Sequence, residues 1–382
     1  MTAPLEGIRI VELTTMITGP LAGMLLADLG ASVIKIENPD KGDPFRSFRG
    51  GNYSGHFLSY NRNKRSLALD IRSSQGQATL LSLVRKSDVL IDNFRAGVLD
   101  RFGLSAERLR NENPRLIHAS ITGFGTQGPY RNRPAYDAVA QALSGVSAQF
   151  LDTEDPQVTG PTLSDNITGM YAANAILGAL FERARTGVGK RIETNMLEAT
   201  VAFAPDAFIN FKQYGIKSAP KTRVATSQSY AFRCQDGKLI AVHLSSQPKF
   251  WEGLLSALER KDLANHPLFV SRESRIANYK KLGEELAKEF LSRPRDEWNA
   301  RLETNDVPYA PVLDVEEVIN DPQIQELGTF YHVAHPTKGD VWGIQPPYLF
   351  DGKRVGLMVA PPTLGQHTDD ILAELKAADT AL

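Results

Sequence analysis

The sequence predicts an α/β protein: a doubly wound, Rossmann-like parallel sheet with a smaller α+β domain beside it. Three observations carry this reading. Short, nearly continuous apolar segments alternate with helix-like segments through the first 125 residues. Glycine and proline punctuate them where helices start and stop. After about residue 222 the alternation gives way to one hairpin pattern followed by successive helix patterns.

The first strand is "GIRIVEL" (7–13), followed by the turn "TTMITG". The helix "PLAGMLLADLG" (20–30) has Pro20 in its first turn and Gly30 as its stop. Further strands are "ASVIKIE" (31–37), "DVLIDNF" (88–94) and "RLIHASITGFG" (115–125), with a helix over "SSQGQATLLSLVRKS" (73–87). Strands this apolar are buried on both faces, and right-handed crossovers then wind helices onto each side. A long helix follows at 166–184, and "RTGVGKRIETNMLEATVAF" holds a turn, a strand and another helix. Asp236-Gly237 sits at the turn of the hairpin "SYAFRCQDGKLIAVHLSS", and helix-like stretches cover 248–260, 277–292 and 295–304. The proline-marked stretch 307–328 leads back to the first domain.

Composition narrows the function. The 382 residues are 42% hydrophobic and 23% charged, the balance of a globular protein. A net charge of −1 gives no field to attract nucleic acid or an anionic membrane, so neither partner is expected. A single cysteine, Cys234, allows no intramolecular disulfide and no cysteine-cluster metal site. No apolar run reaches the ~18 residues of a spanning helix, and the first residues lack a signal-peptide core. A cytoplasmic protein is expected.

Familiar cofactor signatures are missing. The first turn has no GxGxxG, so a nicotinamide cofactor is not expected, although Glu37 stands where a ribose-binding acid would. "GVGKR" (187–191) lacks the upstream glycine and the Ser/Thr of a phosphate-binding loop. The seven histidines form no HExxH, and no nearby acid or cysteine completes a zinc set with His332 and His335. No metal is expected, and no GxSxG marks a serine nucleophile. Basic residues are the positive signal: Arg62, Lys64, Arg65, Arg72, Arg95 and Arg101 flank core strands. Gathered at the carboxyl edge of the sheet they suit a phosphorylated nucleotide; singly, each also reads as a solvated loop residue. Two acids precede helices: Asp137 in "PAYDAVAQALSG" and Asp165 in "TLSDNITGMYAANAILGAL". Each reads either as an N-cap or as a carboxylate with chemistry to do.

In order along the chain, "LEGIRIVELTTMITGPLAGMLLADLGASVIKIE", "NRNKRSLALDI", "DVLIDNFRAGVLDRFGL", "PRLIHASITGFGTQGPY", "AYDAVAQALSG", "VPYAPVLDVEEVINDPQI" and "APPTLGQHTDDIL" resemble the class III CoA-transferase family. That group includes formyl-CoA transferase, carnitine CoA-transferase and α-methylacyl-CoA racemase. The resemblance covers nearly the whole chain. It implies a large Rossmann-like domain, with its parallel sheet, built from both chain ends (1–190 and 335–382). It further implies linkers at 191–222 and 316–334, a small domain at 223–315, and an interlocked homodimer.

The resemblance also assigns roles. Asp165 becomes the nucleophile that carries CoA as an aspartyl thioester, with Tyr136 beside it as a catalytic residue. Met16, Ile17, Thr18, Leu69, Arg72, Asn93, Phe94, Arg101, Asp137 and Met196 become positions that bind coenzyme A, which is a substrate carrier and not a resident cofactor. Asn38 stands where some members carry an arginine. The racemase branch typically has histidine at the position of Tyr136; a phenol, with an ordinary pKa near 10, is a poor base at neutral pH. Transfer is therefore expected over racemisation, with a 2-methylacyl-CoA racemase and a non-catalytic acyl-CoA-binding homologue as the alternatives. The resemblance also implies a glycine-rich loop in members that act on oxalate and formyl-CoA; the corresponding stretch "VHLSSQPKFW" (242–251) has none, so that specificity is not expected. A small di- or hydroxycarboxylic acid is the expected acceptor and succinyl-CoA the expected donor; Arg46 and Arg49, in "GDPFRSFRG", read either as contacts to a second carboxylate or as residues of a surface loop.

Overall fold

A computed structural model of the chain describes residues 3–49, 51–152, 154–158, 160–356 and 358–380. They form two compact units: Met1–Ser147 with Val158–Pro205 and Gly328–Leu382, and Ala148–Gln157 with Asp206–Leu327.

The larger unit runs β1 (Arg9–Leu13), α1 (Thr18–Asp28), β2 (Ser32–Glu37), α2 (Gly55–Tyr60), β3 (Lys64–Ala68), α3 (Ser74–Arg85) and β4 (Val89–Asp92). It continues with α4 (Val98–Arg101), α5 (Ala106–Glu112), β5 (Ile117–Thr122), α6 (Asp137–Leu143), α7 (Ser164–Thr186), β6 (Arg191–Asn195) and α8 (Met196–Phe203). Six parallel strands stand in the order β3-β2-β1-β4-β5-β6, which reverses direction at β1 and β4. Alternate residues of each strand face opposite sides. Ile10, Val33, Ile91 and Ile117 therefore pack under α1 and α7. Val11, Ile36, Leu67 and Leu90 pack under α3 and Ile371.

Two expectations change here. Every strand of the sheet lies within residues 9–195, so the C-terminal stretch adds no strand to it. β6 falls inside the expected 191–222 linker; it is a polar edge strand, with Arg191 and Glu193 exposed, and so lacks the apolar run of a central one. β3, unlike β6, was not read as a strand: its first residues are Lys64 and Arg65, yet Lys64 is 2% exposed.

The smaller unit contains α9 (Pro205–Tyr214, whose first residue belongs to the larger unit), α10 (Thr222–Ser227), β7 (Ser229–Arg233), β8 (Leu239–His243) and α11 (Pro248–Leu258). Then come α12 (Arg272–Ala277), α13 (Tyr279–Phe290), α14 (Arg295–Thr304), β9 (Tyr309–Pro311), α15 (Val315–Ile319) and α16 (Pro322–Glu326). β7, β8 and β9 make a small antiparallel sheet. Its core is aromatic: the Phe232 and Phe290 rings stack at 4.5 Å, and Trp298 donates its indole N–H to the Phe290 carbonyl. Cys234 is buried in this core. The chain then returns to the larger unit as the hairpin β10 (Phe330–His335) and β11 (Gly339–Ile344), and ends in α17 (Thr368–Thr380), which lies against β3.

Candidate active site

The loops after β1, β4 and β5 leave the carboxyl edge of the sheet, where open α/β folds bind ligands. They line a cavity of about 270 Å³. Met16, Ile17, Thr18, Asn93, Phe94, Tyr136, Asp165 and Met196 all stand on its wall. A second cavity of about 240 Å³, lined by Leu69, Arg72, Ile36 and Phe102, shares Thr15 and Phe94 with the first. The two adjoin at these residues, as a trough of two compartments along the sheet edge. Arg72 is already tied to Asp70 through bonds of 2.8 and 3.0 Å. Arg101 lies in α4, exposed and outside both cavities.

Asn93 knits the β4 loop to the β1 loop. Its amide donates to the Thr15 carbonyl at 2.8 Å and to the Thr18 hydroxyl at 3.1 Å, while its oxygen accepts the Thr15 N–H at 3.0 Å. Met16 takes a left-handed φ of 67°, unusual for a side chain of that size. Its N–H donates to both Asp43 oxygens, at 3.2 and 3.3 Å. Asp43 is in turn paired with Lys35 at 2.9 Å, and Glu12 joins Lys35 at 3.1 Å and Lys64 at 2.8 Å. All four are buried. Gly23 leaves room for this cluster, since a Cβ there would stand 2.0 Å from a Glu12 oxygen.

Asp165 is not the N-cap that its sequence position suggested. α7 begins at Ser164, so Asp165 lies inside the first turn, and Leu163 holds the cap position without a side-chain bond. Instead, the Asp165 N–H donates to Asp137 Oδ1 at 3.1 Å. Asp137 is likewise no cap: it is the first residue of α6, and its other oxygen accepts the Gln141 amide at 2.5 Å. Asp137 thus stands behind Asp165 and not on the cavity wall. Burial, reinforced by the Asp137 charge, pushes the Asp165 carboxyl up to about 7.

Tyr60 is a residue the sequence did not single out. It closes α2 next to Asp165; burial pushes its phenol up, Asn166 bonds to it, and the charges of Asp165 and Asp137 add to the upward push. Its position one residue before "NRNKRSL" was the available signal.

Several basic residues prove structural. Arg62 makes a bidentate pair with Asp28, at 2.9 and 2.5 Å, and Lys64 belongs to the buried cluster. Arg65 pairs with Glu374 at the first residues of β3, away from the strand ends that carry the trough. Arg46, a candidate to meet a substrate carboxylate, meets Glu37 instead through bonds of 2.7 and 2.6 Å and is 1% exposed. That pair also removes Glu37 as a ribose-binding acid. Arg95 remains on the first cavity, joined by Arg131 and Arg133 from the loop before α6. Among the described residues no group of three or more His, Cys, Asp or Glu is arranged to hold a metal, and no helix is long and apolar enough to cross a membrane.

A doubly wound parallel sheet with two adjoining cavities at its carboxyl edge defines an α/β protein with a ligand site at the switch point of the strand order. The comparisons supply the family. The profile described as CoA-transferase family III matches residues 5–368, and the chain belongs to that family. It is 33% identical to the human succinyl-CoA:glutarate CoA-transferase, over 98% of this chain and 87% of that one. It is 32% identical to the formyl-CoA:oxalate CoA-transferase of Streptomyces avermitilis, over 100% and 98%. The crystal structure of a CAIB/BAIF family protein from Brucella suis superposes with a TM-score of 0.86 at 32% identity, covering 98% of this chain and 100% of that one. The protein is thus a CoA-transferase acting on acyl-CoA thioesters and carboxylates.

Proposed function

We propose that Asp165 carries CoA between an acyl-CoA and a free acid. The observation behind this reading is a carboxylate on the wall of the first cavity whose pKa is raised to about 7, with a second cavity adjoining at Thr15 and Phe94. An ionised Asp165 oxygen attacks the thioester carbonyl, the C–S bond breaks, and CoA leaves as thiolate from a mixed anhydride. The thiolate attacks the aspartyl carbonyl and expels the donor acid, leaving aspartyl-CoA. The acceptor carboxylate attacks that thioester, CoA leaves again, and the thiolate then takes the acceptor's acyl carbon and frees Asp165. Raising the pKa makes the carboxylate a stronger nucleophile while a large ionised fraction survives at neutral pH. N–H groups of the first turn of α7 are suited to the oxyanion formed at each attack.

In this reading Leu69, Arg72, Ile36 and Phe102 hold the adenosine end, and Thr15, Met16, Asn93, Phe94 and Met196 line the pantetheine path. Arg101 has no place along it. Tyr136, 67% exposed, and Tyr60 flank the acyl group. Succinyl-CoA is the proposed donor and a small di- or hydroxycarboxylate the acceptor. A homodimer is also proposed: α9 has no buried residue and exposes Phe208, Ile209, Phe211 and Tyr214, a face that a second copy would cover. The single buried thiol suits a reducing cytoplasm.

The test is incubation with succinyl-CoA and a panel of acids, read by mass spectrometry of both the thioesters and the protein. Exchange should vanish in Asp165→Asn, and CoA should appear on the Asp165 peptide of the native chain. Solvent deuterium entering the α-carbon of a 2-methylacyl-CoA, with no acceptor acid present, would point to racemisation instead.

A further inference from the structure

Arg131 and Arg133 were not singled out in the sequence, and they stand on the wall of the Asp165 cavity. Among the described residues neither guanidinium pairs with a carboxylate, whereas Arg46, Arg62, Arg65, Arg72 and Arg183 each have an acidic partner. Arg133 is held by its face: it lies 4.7 Å from the Tyr130 ring centre and 6.0 Å from that of Phe124, two rings that meet edge-on at 6.2 Å. A guanidinium held by aromatic rings spends no N–H donor on an acid, which leaves its fork available to a carboxylate. The loop that carries both arginines is closed at its base, where a Cβ on Gly123 would stand 2.2 Å from the Ala135 Cβ.

Their place along the sheet separates them from the nucleotide. The apolar second cavity lies over the ends of β1, β2 and β3, at Leu13, Ile36 and Leu69. The loop of Arg131 and Arg133 follows β5, beyond β4 in the strand order. A CoA chain running from the second cavity past Phe94 to Asp165 would leave its nucleotide phosphates near Arg72 and bring its acyl group to the β5 loop.

We propose that Arg131 and Arg133 bind the far carboxylate of a dicarboxylic acyl group, so that the enzyme selects diacid acceptors over monoacids of equal length. The proposal rests on the transfer reading of Asp165. Its test compares glutarate with valerate, which replaces one carboxylate by a methyl group, as acceptors from the same donor. The wild-type protein should favour glutarate in kcat/KM by roughly tenfold or more, the worth of a charge-assisted hydrogen bond. Arg131→Gln with Arg133→Gln should bring the ratio to within about threefold by raising KM for glutarate, and Arg133→Lys should restore part of it. Affinity for desulfo-CoA, measured by calorimetry, should stay within about twofold, because the arginines stand away from the phosphates. Equal use of both acids by the wild-type protein overturns the proposal. So does an unchanged ratio in the double variant, or a loss of desulfo-CoA binding in parallel with glutarate use. CoA found on the Asp165 peptide in those same samples would show that the transfer reading survives; absence of that adduct, with no exchange for any acid, would bring down both.

Discussion

Replacing Asp165 by asparagine preserves the size of the side chain and removes its charge, and the structure says what that charge costs. The carboxyl rises from 3.8 to about 7, chiefly through burial and then through Asp137. The folded protein thus holds this proton more tightly than the unfolded chain does. Stability is unaffected by the group below its ordinary value, falls as pH climbs from about 4 towards 7, and is lowest above that. At 1.36 kcal/mol per pH unit the full displacement amounts to ~4 kcal/mol. Water reaching the partly open cavity screens some of it, leaving about 2 kcal/mol to be recovered by the neutral variant. For a folding unit of this size that corresponds to about 4–8 °C in Tm. Asp165→Asn should therefore melt several degrees above the wild-type protein at pH 8 and level with it at pH 4, while losing activity at both. Melting curves by calorimetry at the two pH values provide the check. An equal gain at both pH values, or a lower Tm at pH 8, would refute the assignment of a strained, charged Asp165.

Four other perturbations probe the surroundings of the site. Asp137→Asn removes the like charge behind Asp165, so the acid limb of the kcat/KM profile should move to lower pH; a limb that stays in place would mean burial alone sets it. Asp43→Ala strips Lys35 of one partner and frees the Met16 N–H, and should cost about 3–5 kcal/mol in urea unfolding. Met16→Gly, by contrast, relieves the left-handed strain and should be neutral or stabilising by up to ~1 kcal/mol. Gly169→Ala brings a methyl group 2.7 Å from the Thr18 carbonyl, forcing α1 and α7 apart at a cost of about 1–3 kcal/mol, and should raise KM because Thr18 lines the cavity.

Central strands announced themselves because an apolar run buried on both faces has few alternative readings; β1, β2, β4 and β5 were legible for that reason. β3 was not, because Lys64 reads as solvated until Glu12 is seen beside it, and no local pattern pairs a strand-one acid with a strand-three lysine. For the same reason the sequence left Arg46 and Arg62 open between a ligand contact and a solvated loop, since their partners Glu37 and Asp28 are set by the sheet's folding and not by spacing. At the site, the turn residues Met16 to Thr18, together with Asn93 and Phe94, came from ordered motifs and converge on one cavity. The apposition of Asp137 and Asp165, 28 residues apart, could not be read from either segment, since each alone looks like a helix cap.

The lone cysteine has a practical consequence. Cys234 is 1% exposed, and burial pushes its thiol up, so thiolate is scarce while the fold holds. A colorimetric thiol reagent mixed with native protein and acyl-CoA would register only coenzyme A lost to hydrolysis, against a nearly silent background, because transfer itself passes CoA from acid to acid and frees none. Once the smaller unit opens, the same reagent finds one new thiol per chain. A single colour change can thus report wasteful hydrolysis in the native protein and count opened molecules in a denaturing one.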